Sequence, residues 1–379
     1  MRNLTTLQST RDGRLLLEQE MTFDDPVVFL RHLRPPRARS ENEDAHHAQD
    51  WPVYAHQQVY LDYRSSVVAK IKALRDLRDR SPHVQPDFIW IDTDRAGSDK
   101  LGLRLYLPAK HGKAAVRLAP SGCERLEPRF IQMNLARLGD AINRMEQLIR
   151  QMPDNSNAEL NRFERLRPLL NTSGTLANLS RELTDFLLAE TLSFQPRPVL
   201  VSSLIASGEL RPGLEKILNR QREFVDAFNA RIRALQSLDV APQVKPLPQD
   251  YLPLFMSCPR DGRRLRLRLD RVGKTYFACA ADSAGEQHRY ELGQTNLTME
   301  QLDRHVRWSP DVTLPMLVND RYSGMVAGKS SALYMLVFRD VMQKVMDTIP
   351  LPVLVPANWD VFPDAFDSLV DAYLTGRSL

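Results

Sequence analysis

Cysteine is scarce in this chain: Cys123, Cys258 and Cys279 are the only three in 379 residues, and none belongs to a C-x-x-C pair. Such scatter argues against a disulfide framework and against a zinc knuckle, and it fits a reducing compartment. Long apolar runs are missing as well. No stretch approaches the roughly 18 uninterrupted apolar residues of a membrane span, and the opening MRNLTTLQSTRDGRLLLEQE has no apolar core of signal-peptide length. A cytoplasmic protein without a membrane partner is therefore expected. Neither sign of charge is in excess: 51 Lys and Arg against 47 Asp and Glu leave a net charge of +4, so the overall balance does not ask for a nucleic-acid partner. There is no Ser-His-Asp elbow, no H-E-x-x-H and no G-x-G-x-x-G. No zinc, haem or flavin is expected.

What is there is an ordinary globular composition, 43% hydrophobic and 26% charged. The length suits about two domains, or one α/β domain with a large insertion. RPPRARSENEDAHHAQD (34–50) reads as a polar surface loop, and its His46 and His47 lack companion ligands. From Pro52 the pattern tightens. SSVVAKIKALRDLRDR (65–80) spaces Val68, Ile71, Leu74 and Leu77 by threes, which predicts an amphipathic helix capped by Ser65 or Ser66. PDFIWIDTD reads as a buried strand that delivers Asp92 and Asp94 to its carboxyl end, and LGLRLYLP with AAVRLAP as a further strand or hairpin.

Five segments follow from this reading. Residues 1–126 are the amino-terminal half of a Rossmann-like core, 127–195 a helical insertion, 196–245 a core strand and a long helix opened by Pro212. Residues 246–300 are a β-meander insertion and 301–379 the carboxyl-terminal half of the core. The strand of 196–245 is RPVLVSSLI, and the last segment reads strand, loop, helix, strand. The predicted fold class is α/β, a doubly wound, mostly parallel sheet whose ligands lie beyond the carboxyl ends of its strands. Asp92, Asp94, Asn319, Asp320 and the Gly328–Ser331 turn are placed at or just beyond such ends.

Four places offer chemistry. Gly328-Lys329-Ser330-Ser331 stands where a helix begins, but Gly324 and Gly328 enclose only three residues, one short of a Walker A loop. The turn is either an anion site, with Lys329 as a point charge, or an ordinary serine-capped helix entry. IDTDRAGSDK gathers Asp92, Asp94 and Asp99 beside Arg95 and Lys100, a set able to hold a metal, orient a ribose, act as a base or cap the next turn. AHQQ (55–58) places His56 before two amides, and histidine titrates near neutrality. Arg264, Arg266 and Arg268 alternate with leucines, which suits a phosphate backbone or a solvated strand face; no aromatic platform is interleaved, so nucleic acid is not the expected partner.

Taken in order, these landmarks resemble one family, the cysteine-adding ligase of bacillithiol biosynthesis (BshC). VYAHQQVYL falls where that family has Thr-Gly-Gln-Gln, and PDFIWIDTDRAGSD resembles its Pro-Val-Phe-Trp-Ile strand ending in Glu-Asp-His-Asp. DGRRLRLRL is similar to its Gly-Arg-Arg meander, and WSPDVTLPMLVND to its Ser-Pro-Asn-Val strand ending in Gln-Asp. VAGKSSALYMLVF stands at its Gly-Gly-Pro-Gly-Glu helix entry, and IPLPVLVP at its closing strand. The similarity spans most of residues 52–356 and rests on order more than identity. Ala55-His56 replaces Thr-Gly, Asp-Thr-Asp-Arg replaces Glu-Asp-His-Asp, and Gly-Lys-Ser-Ser replaces Gly-Pro-Gly-Glu. The family's carboxyl-terminal coiled coil has no counterpart in this sequence, so dimerisation by that route is not expected.

The resemblance implies a Rossmann-like core and a ligase that joins an amino acid or similar carboxylate to an amine through an amide bond. On that footing Gly328, Lys329, Ser330 and Ser331 would hold phosphate or carboxylate, and Gln57, Gln58, Asn319 and Asp320 would fix a polar substrate. His56, Asp94 or Lys329 would carry catalysis, and Asp92 with Asp320 would recruit Mg2+ if ATP is the activator. The partners expected are small amino acids or amines. A binding protein for a ligand or RNA on the same fold, and a nucleotidyltransferase, are the alternatives.

Overall fold

The computed structural model describes residues 1–35, 50–96, 103–109, 112–151, 156–170, 174–364 and 367–379. His46, His47, Asp99 and Lys100 lie outside the described residues.

The protein is α/β. Strands β1 (Thr22–Phe23), β2 (Trp51–Gln58) and β3 (Val84–Ile91) are followed by the pair β4 (Arg104–Ala109) and β5 (Gly112–Arg117), then by β6 (Arg197–Leu200). Next come β7 (Tyr251–Ser257), β8 (Arg264–Val272), β9 (Thr275–Ala281), β10 (Gln287–Gly293), β11 (Trp308–Pro310), β12 (Gly324–Val326) and β13 (Val353–Leu354). A six-stranded parallel sheet has the order β1-β13-β12-β2-β3-β6, a five-stranded antiparallel sheet the order β10-β9-β8-β7-β11, and β4 pairs with β5 alone.

The chain divides into two compact units. The first comprises Met1–Tyr54, Leu77–Pro86 and Ser203–Ala357. Here β13 lies between β1 and β12, with Val353 opposite both Thr22 and Met325. The helices Gln221–Ser237 and Lys329–Val341 meet through Phe228 and Phe338, whose ring centroids are 6.0 Å apart, and Phe224 stacks on Tyr251 of β7. The long helix predicted after Pro212 is in fact two, Arg211–Asn219 and Gln221–Ser237. Arg220 breaks it: its backbone leaves helical geometry while its guanidinium donates to the carbonyls of Val345 and Lys344 at 2.7 Å each. Two charge-assisted bonds to carbonyls that need donors outweigh one more residue of helix.

The second unit comprises Ala55–Asp76, Asp87–Ser202 and Asn358–Leu379. The helical stretch predicted over 127–195 appears as Leu135–Arg150, Ser156–Leu170 and Leu176–Leu192. The last of these, capped by the Thr175 side chain, buries Leu179, Leu183 and Leu187 at steps of four. Strand β6 runs parallel to β3, with Ile89 opposite Val199. It ends at Leu200, and the residues expected to extend it form the short helix Val201–Ala206. The Asp62 carboxylate accepts from the backbone N–H groups of Tyr106 and Val370, so β4 and the helix Leu369–Leu374 share one buried anchor.

Gly324 opens β12 at a very close approach. A Cβ there would stand 2.6 Å from the Phe29 ring and 2.7 Å from Leu33, and Phe29 is fully buried. Gly324→Ala is expected to lower unfolding stability by about 1–3 kcal/mol through overpacking. Urea denaturation checks this, and an unchanged midpoint would show that the aromatic ring has room to move.

Candidate functional site

The carboxyl end of β2 and the helix after it form a polar cluster within the second unit. The strand brings His56, Gln57 and Gln58 to its last three positions, and the helix Ser65–Arg80 carries Lys70 in its second turn. Lys70 is only 4% exposed. Its Nζ donates to the His56 carbonyl at 2.6 Å and to Gln57 Oε1 at 2.9 Å. Both acceptors are neutral, and burial lowers the lysine to about 7. Amine and ammonium therefore coexist at neutral pH.

That amine changes what His56 can do. The imidazole is pushed down to about 3, first by burial and then by the Lys70 charge, so it stays neutral across the working range. It can exchange hydrogen bonds but does not store a proton near pH 7. Gln58 is oriented by three neighbours: its Nε2 donates to Asp94 Oδ2, its Oε1 accepts from Tyr60 Oη at 2.7 Å, and its carbonyl accepts from Tyr63 Oη at 3.1 Å. Asp94 Oδ1 also accepts from the Arg95 N–H at 2.8 Å. Tyr63, buried, packs on Trp90 of β3 with centroids 5.6 Å apart. Gln58 and Asp94 are thus one hydrogen-bonded pair, held by aromatic residues.

Asp92, beside that pair in sequence, has another task. It is 1% exposed, and its two oxygens accept from the backbone N–H of Ser202, at 3.0 Å, and from the Ser202 hydroxyl. Burial raises its pKa, against the lowering from Ser202 and Arg129. The carboxylate takes up a backbone N–H at the start of the helix Val201–Ala206, which is why β6 stops at Leu200. A magnesium ion at Asp92 would have to displace Ser202.

The other residues singled out by the sequence belong to the first unit. Asn319 and Asp320 form a 3-10 turn ahead of β12 and do not follow a strand end as expected. Asn319 is 1% exposed, and its Nδ2 donates to Asp320 Oδ1 and to the Ile349 carbonyl, each at 3.1 Å. Gly328, Lys329, Ser330 and Ser331 do follow the carboxyl end of β12. Gly328 is the N-cap of the helix Lys329–Val341, no side chain caps it, and Lys329 and Ser330 are exposed. The arginine ladder is engaged by its own sheet: Arg264 lies 3.8 Å over the Phe255 ring, Arg266 pairs with Asp311 at 2.6 Å, and Arg268 with Asp250 at 3.6 Å.

Sequence reading missed Lys70, Tyr60 and Ser202. A signal for Lys70 was present: Val67, Lys70, Leu74 and Leu77 fall on one helical stripe, and a lysine at a core position of such a stripe calls for an explanation.

Lys70 binds its proton more weakly in the folded chain than in the unfolded chain, whose lysines titrate at about 10.4. Between pH 7 and that value the unfolded state holds the extra proton, so stability rises with pH through this window, by on the order of 5 kcal/mol in all. Lys70→Met abolishes that slope. Wild type should therefore gain stability relative to the variant from pH 7 to 9.5 in parallel urea titrations, and a constant difference would show that Lys70 keeps an ordinary pKa. A comparison of the whole chain with protein-family models gives no match, and neither does one with curated proteins.

Proposed function

We propose that the protein is a condensing enzyme that forms an amide bond between an amino acid or similar carboxylate and an amine, with Lys70 as its base. The observation that carries this reading is the buried Lys70 amine, lowered to about 7 and aimed by two neutral oxygens. An attacking amine must shed a proton as its nitrogen bonds the acyl carbon, and a base works best when its pKa lies near the working pH. In this reading the substrate amine attacks the activated carbonyl, the C–N bond forms, the activating group departs with its electron pair, and the proton passes to Lys70. Gln57 and the His56 carbonyl hold Lys70 in place, while Gln58 and Asp94 receive a polar group of the substrate.

The carboxylate needs activation, and ATP with Mg2+ is the activator we infer. Two observations support the rest of this reading. From β2 the chain continues to β3 and β6 on one side of the sheet order, and β12 and β13 stand on the other, an order that supports reading the parallel sheet as doubly wound and Rossmann-like. The helix entry at Gly328 has no side-chain cap, so its N–H groups and Lys329 suit a phosphate or carboxylate. The order of landmarks that resembles the cysteine-adding ligase family points to the same chemistry.

With ATP and panels of amino acids and amines, the purified protein is expected to release AMP or ADP; complete absence of nucleotide turnover across broad panels would remove the ATP version. Lys70→Met should lower kcat by about 10²–10⁴-fold with little change in KM, and Lys70→Arg should fail to rescue it because arginine does not deprotonate. Lys329→Ala should weaken nucleotide binding in equilibrium titrations, and unchanged binding would reduce the turn to an ordinary helix entry.

A further inference from the structure

We propose that Cys258, Asp282 and His288 form a zinc site that fastens two turns at one end of the antiparallel sheet. Strands β7 to β10 are consecutive and antiparallel, so the β7–β8 and β9–β10 turns lie at the same end. Cys258 begins the first turn, Asp282 begins the second, and His288 is the second residue of β10. One donor atom from each residue lies within 4.8 Å of the other two. A tetrahedral zinc sets such atoms about 3.3–3.8 Å apart, so roughly an ångström of side-chain movement closes the site.

Both turns are built to stay put. The Cys258 N–H donates to the Arg263 carbonyl at 2.7 Å, the Asp282 N–H to the Glu286 carbonyl at 3.0 Å, and Gly262 and Gly285 take the left-handed conformations the turns require, with φ of 71° and 84°. Asp282 Oδ1 accepts from the N–H groups of Ala284 and Glu286. His288 Nε2 is shielded from solvent and makes no hydrogen bond among the described residues. A buried imidazole nitrogen with no proton donor or acceptor costs free energy unless something else takes its lone pair, and a metal does. Cysteine, histidine and carboxylate together favour zinc over magnesium, with the thiol proton released on binding and a water in the fourth position.

The sheet has a reason to need such a fastening. Over β8, β9 and β10 the only buried apolar residues are Leu267, Ala278, Ala280 and Leu292, and two of those are alanines. A thin core gains most from a metal staple. Two competitors are present: the Asp261 carboxylate takes a hydrogen bond from the Cys258 thiol, which thiolate formation on metal binding would release, and an Arg260 guanidinium nitrogen stands 3.1 Å from Asp282 Oδ2, on a side chain that is 48% exposed and also donates to Ser283 Oγ. Cys279 is not part of the set, since it pairs with Arg289 and so faces the side of the sheet opposite His288.

The test uses the full chain, stripped with EDTA and returned to buffer with zinc chloride, magnesium chloride or neither. Wild type should bind one equivalent of zinc in equilibrium dialysis and melt at a higher temperature with zinc but not with magnesium. Cys258→Ser and His288→Gln should each lose the equivalent and the shift, Cys279→Ser should keep both, and Arg260→Ala should bind zinc more tightly. Should the ligand variants fail to fold, cobalt(II) titration of wild type decides, through the presence of a thiolate-to-cobalt charge-transfer band. No bound equivalent in wild type, undiminished zinc in Cys258→Ser and His288→Gln, or a cobalt spectrum without the thiolate band would overturn the site.

Discussion

A lysine amine enclosed by neutral oxygens is the constraint around which the end of β2 is arranged. Taking an ammonium out of water costs several kcal/mol unless a carboxylate compensates, and Lys70 has a backbone carbonyl and a carboxamide instead. The protein meets that cost by letting the proton go, which is why the group settles near 7. Two consequences follow. The neighbouring His56 is kept neutral, partly by the residual Lys70 charge, and the side chains of Gln57 and Gln58 are fixed in different directions, one towards the amine and the other towards Asp94. A strand end that serves only to turn the chain has no need of a titratable group so placed, and a site that moves protons does.

The same unit shows how carboxylates are assigned. Asp92 and Asp94 are two residues apart, yet one caps a helix and the other orients a glutamine. Asp62, raised to about 6 chiefly by burial, joins β4 to the helix Leu369–Leu374. That helix also brings Asp371, fully buried, to Lys113 and Arg377. Charges that hold structure are consumed by backbone N–H groups or by cations, whereas Lys70, 4% exposed, donates to two neutral oxygens and pairs with no carboxylate among the described residues. That contrast separates the cluster proposed to be reactive from the architectural ones.

How much of this could be read from the sequence depends on distance along the chain. The helix Ser65–Arg80 was legible because its apolar period is internal to sixteen residues, and the three strands β8 to β10 because their alternation and the glycine turns beside them are local. The end of β6 was not legible, since the carboxylate that stops it, Asp92, lies 110 residues away. The break at Arg220 depends on carbonyls 124 and 125 residues away. LPMLVND was read as a strand because a short apolar run carries no period of its own, and it forms a helical turn and a 3-10 turn. For the candidate site, His56, Gln57, Gln58 and Asp94 were found by their types, but Lys70 was passed over as one more polar residue of a helix. The Cys258, Asp282 and His288 set escaped because cysteine spacing tests for pairs of thiols, and this set takes one ligand from each of three positions brought together by strand pairing.

Everything proposed for catalysis rests on the protonation of one side chain, and that can be observed directly. In protein labelled with carbon-13 at lysine ε-carbons, with the Lys70 signal assigned by its loss in Lys70→Met, titration between pH 5 and 11 follows this amine alone. The account predicts a midpoint near 7 for Lys70, well below the other lysines. A midpoint at the ordinary lysine value, about 10.4, would mean that the group is a solvated or paired cation and that the base assigned to the reaction is not there.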